Sequence, residues 1–272
     1  MLARLLALFC LAALPLRAET PLSRFQTMDD ARGWEAVGRL DIAERGFCTA
    51  TLIAPDLVLT AAHCLFDSTT GDRVEIGRLT FRAGFRDGRA LAERPVRHAI
   101  TLPGYQFGGE DWTEGSALDL ALLQLQRPIR SPGIRPIPTG PALTRGTEVG
   151  VVSYAHDRAE APSLQELCDV LGGTAEVYVL SCSVDFGSSG APVFQLGADG
   201  LARIVSVVSA KAMMDDAPVA IGTPVAAGLA ELQHELSLVA NGFQGTAPGG
   251  VRVLTPGQRT QTGAHFVRPG GS

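Results

Sequence analysis

A succession of short apolar runs, separated by glycine, proline and aspartate residues, is the feature that most constrains the fold of this chain. The runs lie at residues 36–42, 47–53, 56–62, 74–83, 118–125, 147–155, 175–180 and 201–210. Short apolar runs bounded by turn residues are typical of β-strands, and their close spacing favours a β-sandwich or β-barrels over βαβ units. The 31 glycines and 17 prolines agree, because many strands need many turns. Pro128, Pro132, Pro136 and Pro138 cluster between the two halves, where a linker is expected.

A single amphipathic helix is predicted after the strands, from about Pro224 to Leu238. Its apolar residues recur at spacings of three and four, and they are Val225, Leu229, Leu232, Leu236 and Val239. The predicted organisation is a first β unit at 36–130, a second at 131–222 and a helical segment at 223–240. A polar lead-in or propeptide at 19–35 precedes these units, and a Gly/Pro-rich tail at 241–272, expected to be disordered, follows them.

The composition excludes two broad classes of protein. With 46% hydrophobic and 19% charged residues, the chain is not wholly disordered. Its net charge of −5 argues against nucleic-acid binding, which needs a basic face to displace counterions. The 272 residues suit one large domain or two small ones. We expect a globular monomer with no nucleic-acid partner.

The first 18 residues have the layout of a secretory signal peptide. Arg4 supplies a positive charge, an apolar run follows from Leu5 to Leu14, and Ala18 offers a small residue for cleavage. Leu16 departs from the pattern, since a small residue is preferred there, and an uncleaved anchor is the alternative. The apolar run is too short to span a membrane. We therefore expect a secreted or periplasmic protein, free of the membrane after cleavage.

Export changes the interpretation of the cysteines. The predicted mature chain keeps Cys48, Cys64, Cys168 and Cys182, and four thiols in an oxidising compartment favour two disulfides. Three pairings are open, and we favour the two local ones, Cys48–Cys64 and Cys168–Cys182. A zinc site is the competing interpretation, but the chain has neither a Cys-x₂-Cys pair nor a His-x₃-His pair. No metal is expected.

Three motifs, in order along the chain, carry candidate chemistry. The first is TAAHC at 60–64, where His63 follows a buried apolar run and adjoins a cysteine predicted to form a disulfide. A histidine held in one place in this way suits a general base. The alternative is a structural histidine in a packed corner.

The second and third motifs would complete a catalytic group. DLALLQL at 119–125 reads as a strand with Asp119 at its entrance, where a carboxylate could fix the histidine tautomer. GSSGAPV at 187–193 places Ser189 between Gly187 and Gly190, which allows a tight loop whose Gly187 and Ser189 N–H groups would form an oxyanion hole. A turn aspartate and a plain Gly/Ser loop are the alternatives.

The order His63, Asp119, Ser189, with TAAHC, DLALL and GSSGAPV, resembles the chymotrypsin/trypsin-like serine proteases. The stretch from VGRLDI to TAAHC is most similar to the bacterial branch that includes glutamyl endopeptidase. The resemblance covers roughly residues 36–238. It implies an all-β fold of two packed six-stranded antiparallel β-barrels with a C-terminal α-helix. It also implies a polypeptide substrate, a catalytic triad in the cleft between the barrels, and no cofactor.

The chain departs from the trypsin-type pattern beside the nucleophile. Ser188 stands where those enzymes have an aspartate that pairs with a newly formed N-terminal amine. We therefore predict that the nucleophile loop does not depend on that ion pair. Removal of a lead-in peptide is the alternative, with Arg24 and Arg32 as candidate cleavage points.

Aligned on the family, five residues are candidates for substrate binding. Ser183 falls near the base of the primary pocket, Asp185 lies two residues further on, and Ser209 falls on the substrate-binding strand. Val208 stands where glutamyl endopeptidases have a histidine, so the alignment does not support a preference for glutamate. Lys211 would either narrow the pocket or pair with Asp185.

Three other functions compete with a serine endopeptidase. A catalytically silent protease-fold binding module would normally show a damaged triad, whereas His63, Asp119 and Ser189 are all present. A protease-chaperone would need an appended domain larger than the residues that follow the helix. An α/β-hydrolase needs its serine before its aspartate and histidine, which is not the order here.

Overall fold

The computed structural model describes residues 19–43, 46–109 and 112–240, without the side chains of 112–114. The predicted signal peptide at 1–18 and the predicted tail at 241–272 lie outside the described residues, and both stay predictions.

The described chain forms thirteen β-strands and two α-helices, with short 3₁₀ turns between some of them. The strands are β1 (Ser23–Arg24), β2 (Val37–Ile42), β3 (Gly46–Ala54), β4 (Leu57–Thr60), β5 (Leu79–Ala83), β6 (Ala92–Thr101), β7 (Ala121–Leu125), β8 (Glu148–Ser153), β9 (Ser163–Gly173), β10 (Tyr178–Leu180), β11 (Pro192–Leu196), β12 (Ala202–Met214) and β13 (Ala217–Pro224). The helices are α1 (Trp112–Ala117) and α2 (Val225–Ala240).

The strands close into two six-stranded antiparallel barrels, which confirms the expected fold. In the first barrel the order is β2-β3-β4-β7-β6-β5, and β5 pairs back with β2. In the second the order is β9-β10-β13-β12-β11-β8, and β8 pairs back with β9. Closure leaves few free strand edges, so the backbone hydrogen-bonding groups are satisfied within each barrel.

The hydrophobic core is continuous between the barrels. One cluster fills the first barrel and continues onto the facing side of the second, where it includes Tyr154, Phe194 and Val207. A separate cluster, with Val151 and Leu180, fills the interior of the second barrel. The face between the barrels is therefore an apolar core, and residues that meet there are held as firmly as interior ones.

Helix α2 packs on the outside of the first barrel and against β12. It begins at Val225, one residue after the predicted start, because Pro224 still belongs to β13. Val225, Leu232 and Leu236 are buried, as the apolar spacing predicted. A side chain at Gly228 would contact Leu102 and Leu120, so the helix approaches the barrel closely at that point.

The lead-in at 19–35 is packed against the second barrel, although its composition is polar. Strand β1 pairs with Ser163 and Leu164 of β9. Phe25 is buried, and the ring of Trp34 lies 4.4 Å from that of Phe194, centroid to centroid. Two aromatic side chains thus supply the apolar contact area that the polar sequence around them does not.

Both predicted disulfides are present. Cys48 is bonded to Cys64, with a Cα–Cα distance of 6.2 Å, and Cys168 is bonded to Cys182, with a Cα–Cα distance of 5.0 Å. Their sulfurs are therefore not free thiolates, which a zinc site would need. Among the described residues, no helix is long and apolar enough to cross a bilayer.

Candidate active site

His63 follows β4 of the first barrel and adjoins the Cys48–Cys64 disulfide. Strand β4 ends at Thr60, and the following 3₁₀ turn, Ala62–Leu65, carries His63 between buried neighbours. The disulfide ties this turn to β3. The imidazole is half-buried, and its backbone is fixed on both sides, as a positioned general base requires.

Asp119 lies at the entrance of β7 and is almost completely buried. Its Oδ1 accepts a hydrogen bond of 2.8 Å from the His63 backbone N–H, and its Oδ2 lies 2.7 Å from His63 Nδ1. The Ser209 hydroxyl donates a third hydrogen bond to Oδ2, at 2.5 Å. The carboxylate is therefore held from three directions, and it orients the histidine ring through both the ring and the backbone.

The Asp119 carboxylate also sets the charge behaviour of His63. Burial acts to lower the pKa of His63, but the negative charge and the hydrogen bond of Asp119 outweigh it. The pKa of His63 is consequently raised above its ordinary value of 6.5. A base with a raised pKa accepts a proton more readily, provided that the solution pH keeps it neutral beforehand.

Ser189 lies in a tight loop that two glycines make possible. Gly187 and Gly190 have positive φ values of 97° and 79°. A side chain at Gly190 would collide with Thr60 and with the backbone of Thr49, and one at Gly187 would collide with Phe47. The loop therefore needs glycine for both its backbone conformation and its close approach to the first barrel.

Hydrogen bonds fix the peptide groups of this loop one by one. The Phe186 carbonyl accepts a bond of 2.9 Å from His156 N–H, and the Ser188 carbonyl accepts one of 2.9 Å from Ala191 N–H. In a planar trans peptide the C=O and N–H point in opposite directions. The Gly187 and Ser189 N–H groups therefore point away from these bonded carbonyls. In the described part of the chain neither N–H donates a hydrogen bond, so both are available to an anionic oxygen.

Thr49, on β3 of the first barrel, holds the same loop from the other side. Its N–H donates to the Ser189 carbonyl at 2.8 Å, and its hydroxyl donates to the Gly187 carbonyl at 2.8 Å. The hydroxyl also accepts a bond of 3.0 Å from Tyr154 N–H. Thr49 lies within the apolar run at 47–53, but no sequence pattern indicates this role, because the contacts are with residues more than a hundred positions away.

Ser188 is a second anchor of the nucleophile loop, and it is fully buried. Its hydroxyl donates to the Tyr154 carbonyl at 3.3 Å and accepts bonds from Asp185 N–H, at 3.2 Å, and from Arg158 Nη2, at 3.3 Å. Arg158 is itself buried and also bonds to the Ser153 hydroxyl. Side chains and backbone groups of the second barrel thus hold the position where trypsin-type enzymes use an aspartate.

His63, Gly187 and Ser189 line one cleft of about 600 Å³ between the barrels. Its walls carry Phe47 and Phe186 on one side and Phe66 with Phe107, whose rings are stacked, on the other. Among the described residues, the Ser189 hydroxyl and the His63 ring form no hydrogen bond with each other. A catalytic hydrogen bond of this kind is often long before substrate binds.

The five candidate substrate-binding residues do not all line one cavity. Ser183 and Lys211 line a second cavity, of about 480 Å³, which also includes Glu19 from the lead-in. Lys211 Nζ lies 3.6 Å from Asp185 Oδ1, so the predicted pairing of these two residues is present. The hydrogen bond that Phe186 N–H donates to Asp185 Oδ1, and then the positive charge of Lys211, hold the pKa of Asp185 below its ordinary value.

Val208 and Ser209 do not present their side chains to that cavity. Val208 is buried in the core of the second barrel, because its side chain faces inward from β12. Ser209 points at Asp119 instead, as described above. A register shift in β12 between Val208 and Ala210 separates these two residues from Lys211, which lines the cavity. The assignment of all five residues to substrate binding stays a prediction.

A family model for the trypsin-like peptidase domain matches residues 48–201, more than half of the chain. The chain belongs to this family. The match includes His63, Asp119 and Ser189 and part of each barrel, and it agrees with the resemblance that the three motifs indicate. Membership implies a protease fold.

Individual relatives agree with the family assignment. The chain is 29% identical to serine protease 23 of Bos taurus over 172 residues, which are 54% of this chain and 43% of that protein. It is 27% identical to a glutamyl endopeptidase of Bacillus licheniformis over 154 residues, 55% of this chain and 46% of that protein. It therefore spans less than half the length of these relatives.

A solved structure of a Glu endopeptidase in complex with MPD has the same fold. It superimposes with a TM-score of 0.64 at 18% sequence identity, covering 80% of this chain and 97% of that one. At this identity the similarity concerns the fold, the two barrels and the helix that follows them.

Proposed function

We propose that the protein is an exported serine endopeptidase that uses His63, Asp119 and Ser189 as its catalytic triad. The arrangement of Asp119 is the observation that carries the proposal, because one buried carboxylate binds both the ring and the backbone of His63. His63 and Ser189 face the same cleft. Two disulfides support export, since such bonds persist in oxidising compartments.

The mechanism follows from the positions of these groups. His63 takes the proton of Ser189, and the Ser189 Oγ attacks the carbonyl carbon of a peptide bond. The Gly187 and Ser189 N–H groups stabilise the oxyanion of the tetrahedral intermediate. His63 then gives its proton to the leaving amine, and an acyl-enzyme remains. Water, deprotonated by His63, releases the acyl group from Ser189.

The hydrogen bonds that hold the nucleophile loop support a site that forms without the N-terminal amine that propeptide cleavage would create. Thr49 binds the nucleophile loop from the first barrel, and Tyr154 and Arg158 of the second barrel bind Ser188 within the loop. Because these contacts are made by residues within the barrels, the proposed oxyanion hole is preorganised. We therefore expect activity without cleavage at Arg24 or Arg32.

Labelling with a fluorophosphonate probe tests the proposal. The parent protein should be labelled, whereas Ser189→Ala and His63→Ala should not, because the first lacks the nucleophile and the second lacks the base that activates it. Each variant should keep the parent's thermal unfolding midpoint within a few degrees. A folded, disulfide-bonded parent that stays unlabelled would instead favour the binding-module alternative.

A further inference from the structure

Gln165 connects the lead-in to the wall of the cavity that contains Ser183. It lies on β9 and is 2% exposed. Its Oε1 accepts a hydrogen bond of 2.7 Å from the Ser183 N–H, and its Nε2 donates one of 3.1 Å to the Thr20 carbonyl. The buried side-chain amide of Gln165 is thus hydrogen-bonded to the backbone of the cavity wall and to the backbone of the lead-in.

The lead-in is fixed at the point where this amide binds it. The Thr20 hydroxyl accepts a bond of 2.9 Å from Leu167 N–H, and the Thr20 N–H donates to the Leu167 carbonyl at 3.2 Å. Glu19, the preceding residue, lines the cavity together with Ser183 and Lys211. The lead-in therefore forms part of the cavity wall and is bonded to the strand that supports the rest of that wall.

The wall segment from Ser181 to Asp185 is bonded to β9 at only some of its residues. Cys182 is tied to β9 by its disulfide, and Ser181 is tied to Asp169 by two hydrogen bonds. The next anchor along the chain is the bond from Ser183 N–H to Gln165. After it, the segment reaches Asp185 and the nucleophile loop. Gln165 is consequently the contact that sets the position of Ser183 between the disulfide and that loop.

We infer that Gln165 is a positioning residue for the primary specificity pocket and that the lead-in strand at Thr20 is a structural part of that pocket. The inference rests on the proposed endopeptidase function. Without Gln165, the Ser183 N–H and the Thr20 carbonyl lose a buried partner, and the wall shifts relative to the substrate side chain. The groups around Ser189 keep their own anchors at Thr49 and Ser188.

Two kinds of serine-directed probe separate the pocket from the chemistry. A small alkyl fluorophosphonate reacts with an activated serine but carries no side chain for the pocket. Peptidyl diphenyl phosphonates carry an amino-acid side chain that enters the pocket. A set of these probes with different side chains is tested on the parent protein, and the fastest-reacting probe is then used on the variants. The ratio of the two second-order labelling rates measures the contribution of the pocket alone.

For Gln165→Met, which keeps the length of the side chain, we expect the small probe to react as fast as with the parent. The peptidyl probe should react about tenfold more slowly, which corresponds to the loss of about one part-buried hydrogen bond. Thr20→Pro disturbs the contact between the lead-in and Gln165, because it removes the N–H and the hydroxyl that bind Leu167. It should likewise slow the peptidyl probe relative to the small probe. Gln124→Met is the matched control, since Gln124 is a half-buried strand glutamine bonded to Asp56 in the first barrel.

Cleavage after Arg24 should have the same effect as these variants, because it releases Thr20 from the chain. A ratio that stays at the parent value in Gln165→Met and Thr20→Pro would overturn the inference. Equal slowing of both probes would also overturn it, since Gln165 would then support the whole site and not the pocket. A parent that reacts with neither probe would refute the proposed function, and this inference with it.

Discussion

Thr49 joins the two barrels through three hydrogen bonds that no sequence motif indicates. Its hydroxyl is both a donor to the Gly187 carbonyl and an acceptor from Tyr154 N–H. The residue is fully buried, so neither partner can turn to water if the hydroxyl is removed. At the scale of single residues, the position of the nucleophile loop therefore depends on a side chain outside the triad.

Thr49→Val should destabilise the protein and slow its reaction with a fluorophosphonate. The substitution preserves the shape but leaves the Gly187 carbonyl and the Tyr154 N–H without a partner, which costs about 1–3 kcal/mol of unfolding free energy. Urea unfolding and the labelling rate measure the two effects. Thr51→Val is the control on the same strand, because the buried Thr51 hydroxyl has no hydrogen-bond partner among the described residues. Similar losses in both variants would contradict this account.

The raised pKa of His63 predicts the pH dependence of the reaction. His63 must be neutral to accept the Ser189 proton, so the rate should rise with pH through a midpoint above 6.5, the ordinary histidine value. The labelling rate of the parent between about pH 5 and 9 measures this midpoint. A flat profile over that range would exclude His63 as the base.

Asp119→Asn tests the cause of that shift. Removal of the negative charge leaves burial as the main influence on His63, so the pKa of its ring should fall below the parent value. The ring-proton resonance of His63 in an NMR pH titration measures this pKa without requiring activity. The labelling rate should fall by roughly 10⁴-fold, since asparagine favours the wrong histidine tautomer. An unchanged His63 pKa would show that Asp119 is not its main partner.

At the scale of elements, the apolar runs predicted some strands and missed others, since β6, β9, β11 and β13 lie outside the runs. The run at 47–53 corresponds to β3, most of whose residues are buried. By contrast, β6 reads AERPVRHAIT, which contains Glu93, Arg94 and Arg97 and has only two buried residues. Its strand character comes from pairing with β5 and β7, which no local pattern encodes.

The two disulfides should have similar effects on stability but different effects on the site. Each closes a loop of similar length, with sequence separations of 16 and 14, so removal of either pair should cost about 3 kcal/mol of unfolding free energy. Cys48→Ala with Cys64→Ala should also slow the small fluorophosphonate, because Cys64 is next to His63. Cys168→Ala with Cys182→Ala should not.

The second pair therefore serves as the control for the first. Urea unfolding of both double variants gives the change in unfolding free energy. The labelling rate, measured without urea at a temperature well below the unfolding midpoint, gives the effect on the site. Equal labelling rates in the two variants would contradict the view that the first disulfide positions His63.

Helix α2 should stabilise the first barrel although it follows the second in sequence. Leu232 is fully buried in the cluster that includes Leu102 and Leu120. Leu232→Ala should therefore lower the unfolding free energy by about 2–5 kcal/mol. Leu238→Ala on the same helix is the control, because Leu238 is only half-buried and should cost much less. Urea unfolding measures both, and equal costs would refute the packing role of α2.

At the scale of the whole molecule, the shared core predicts that the barrels unfold together. The cluster that fills the first barrel continues to Phe194 and Val207 of the second, and Trp34 of the lead-in packs on Phe194. Separation of the barrels would expose this apolar surface to water, so an intermediate with one folded barrel should not be populated.

Three probes of one urea titration test this cooperativity. Far-UV circular dichroism, the fluorescence of Trp34 and residual fluorophosphonate labelling should give coincident midpoints. The signal of Trp34 is isolated by comparison with Trp34→Phe, since the chain has two tryptophans. Separate midpoints would show that each barrel is an independent folding unit.

The sequence by itself determined the strand-rich fold and the residues proposed for the chemistry, and it favoured the disulfide pairing that the structure shows. These depend on local information, namely short apolar runs between turn residues, cysteines close in sequence, and three motifs in a fixed order. The tertiary structure alone decided how the site is held. Thr49, Ser188 with Arg158, and Gln165 act on groups that are distant in sequence, through single hydrogen bonds in a buried interface. Such contacts leave no periodicity or spacing in the chain, because they exist only once the barrels have closed and met.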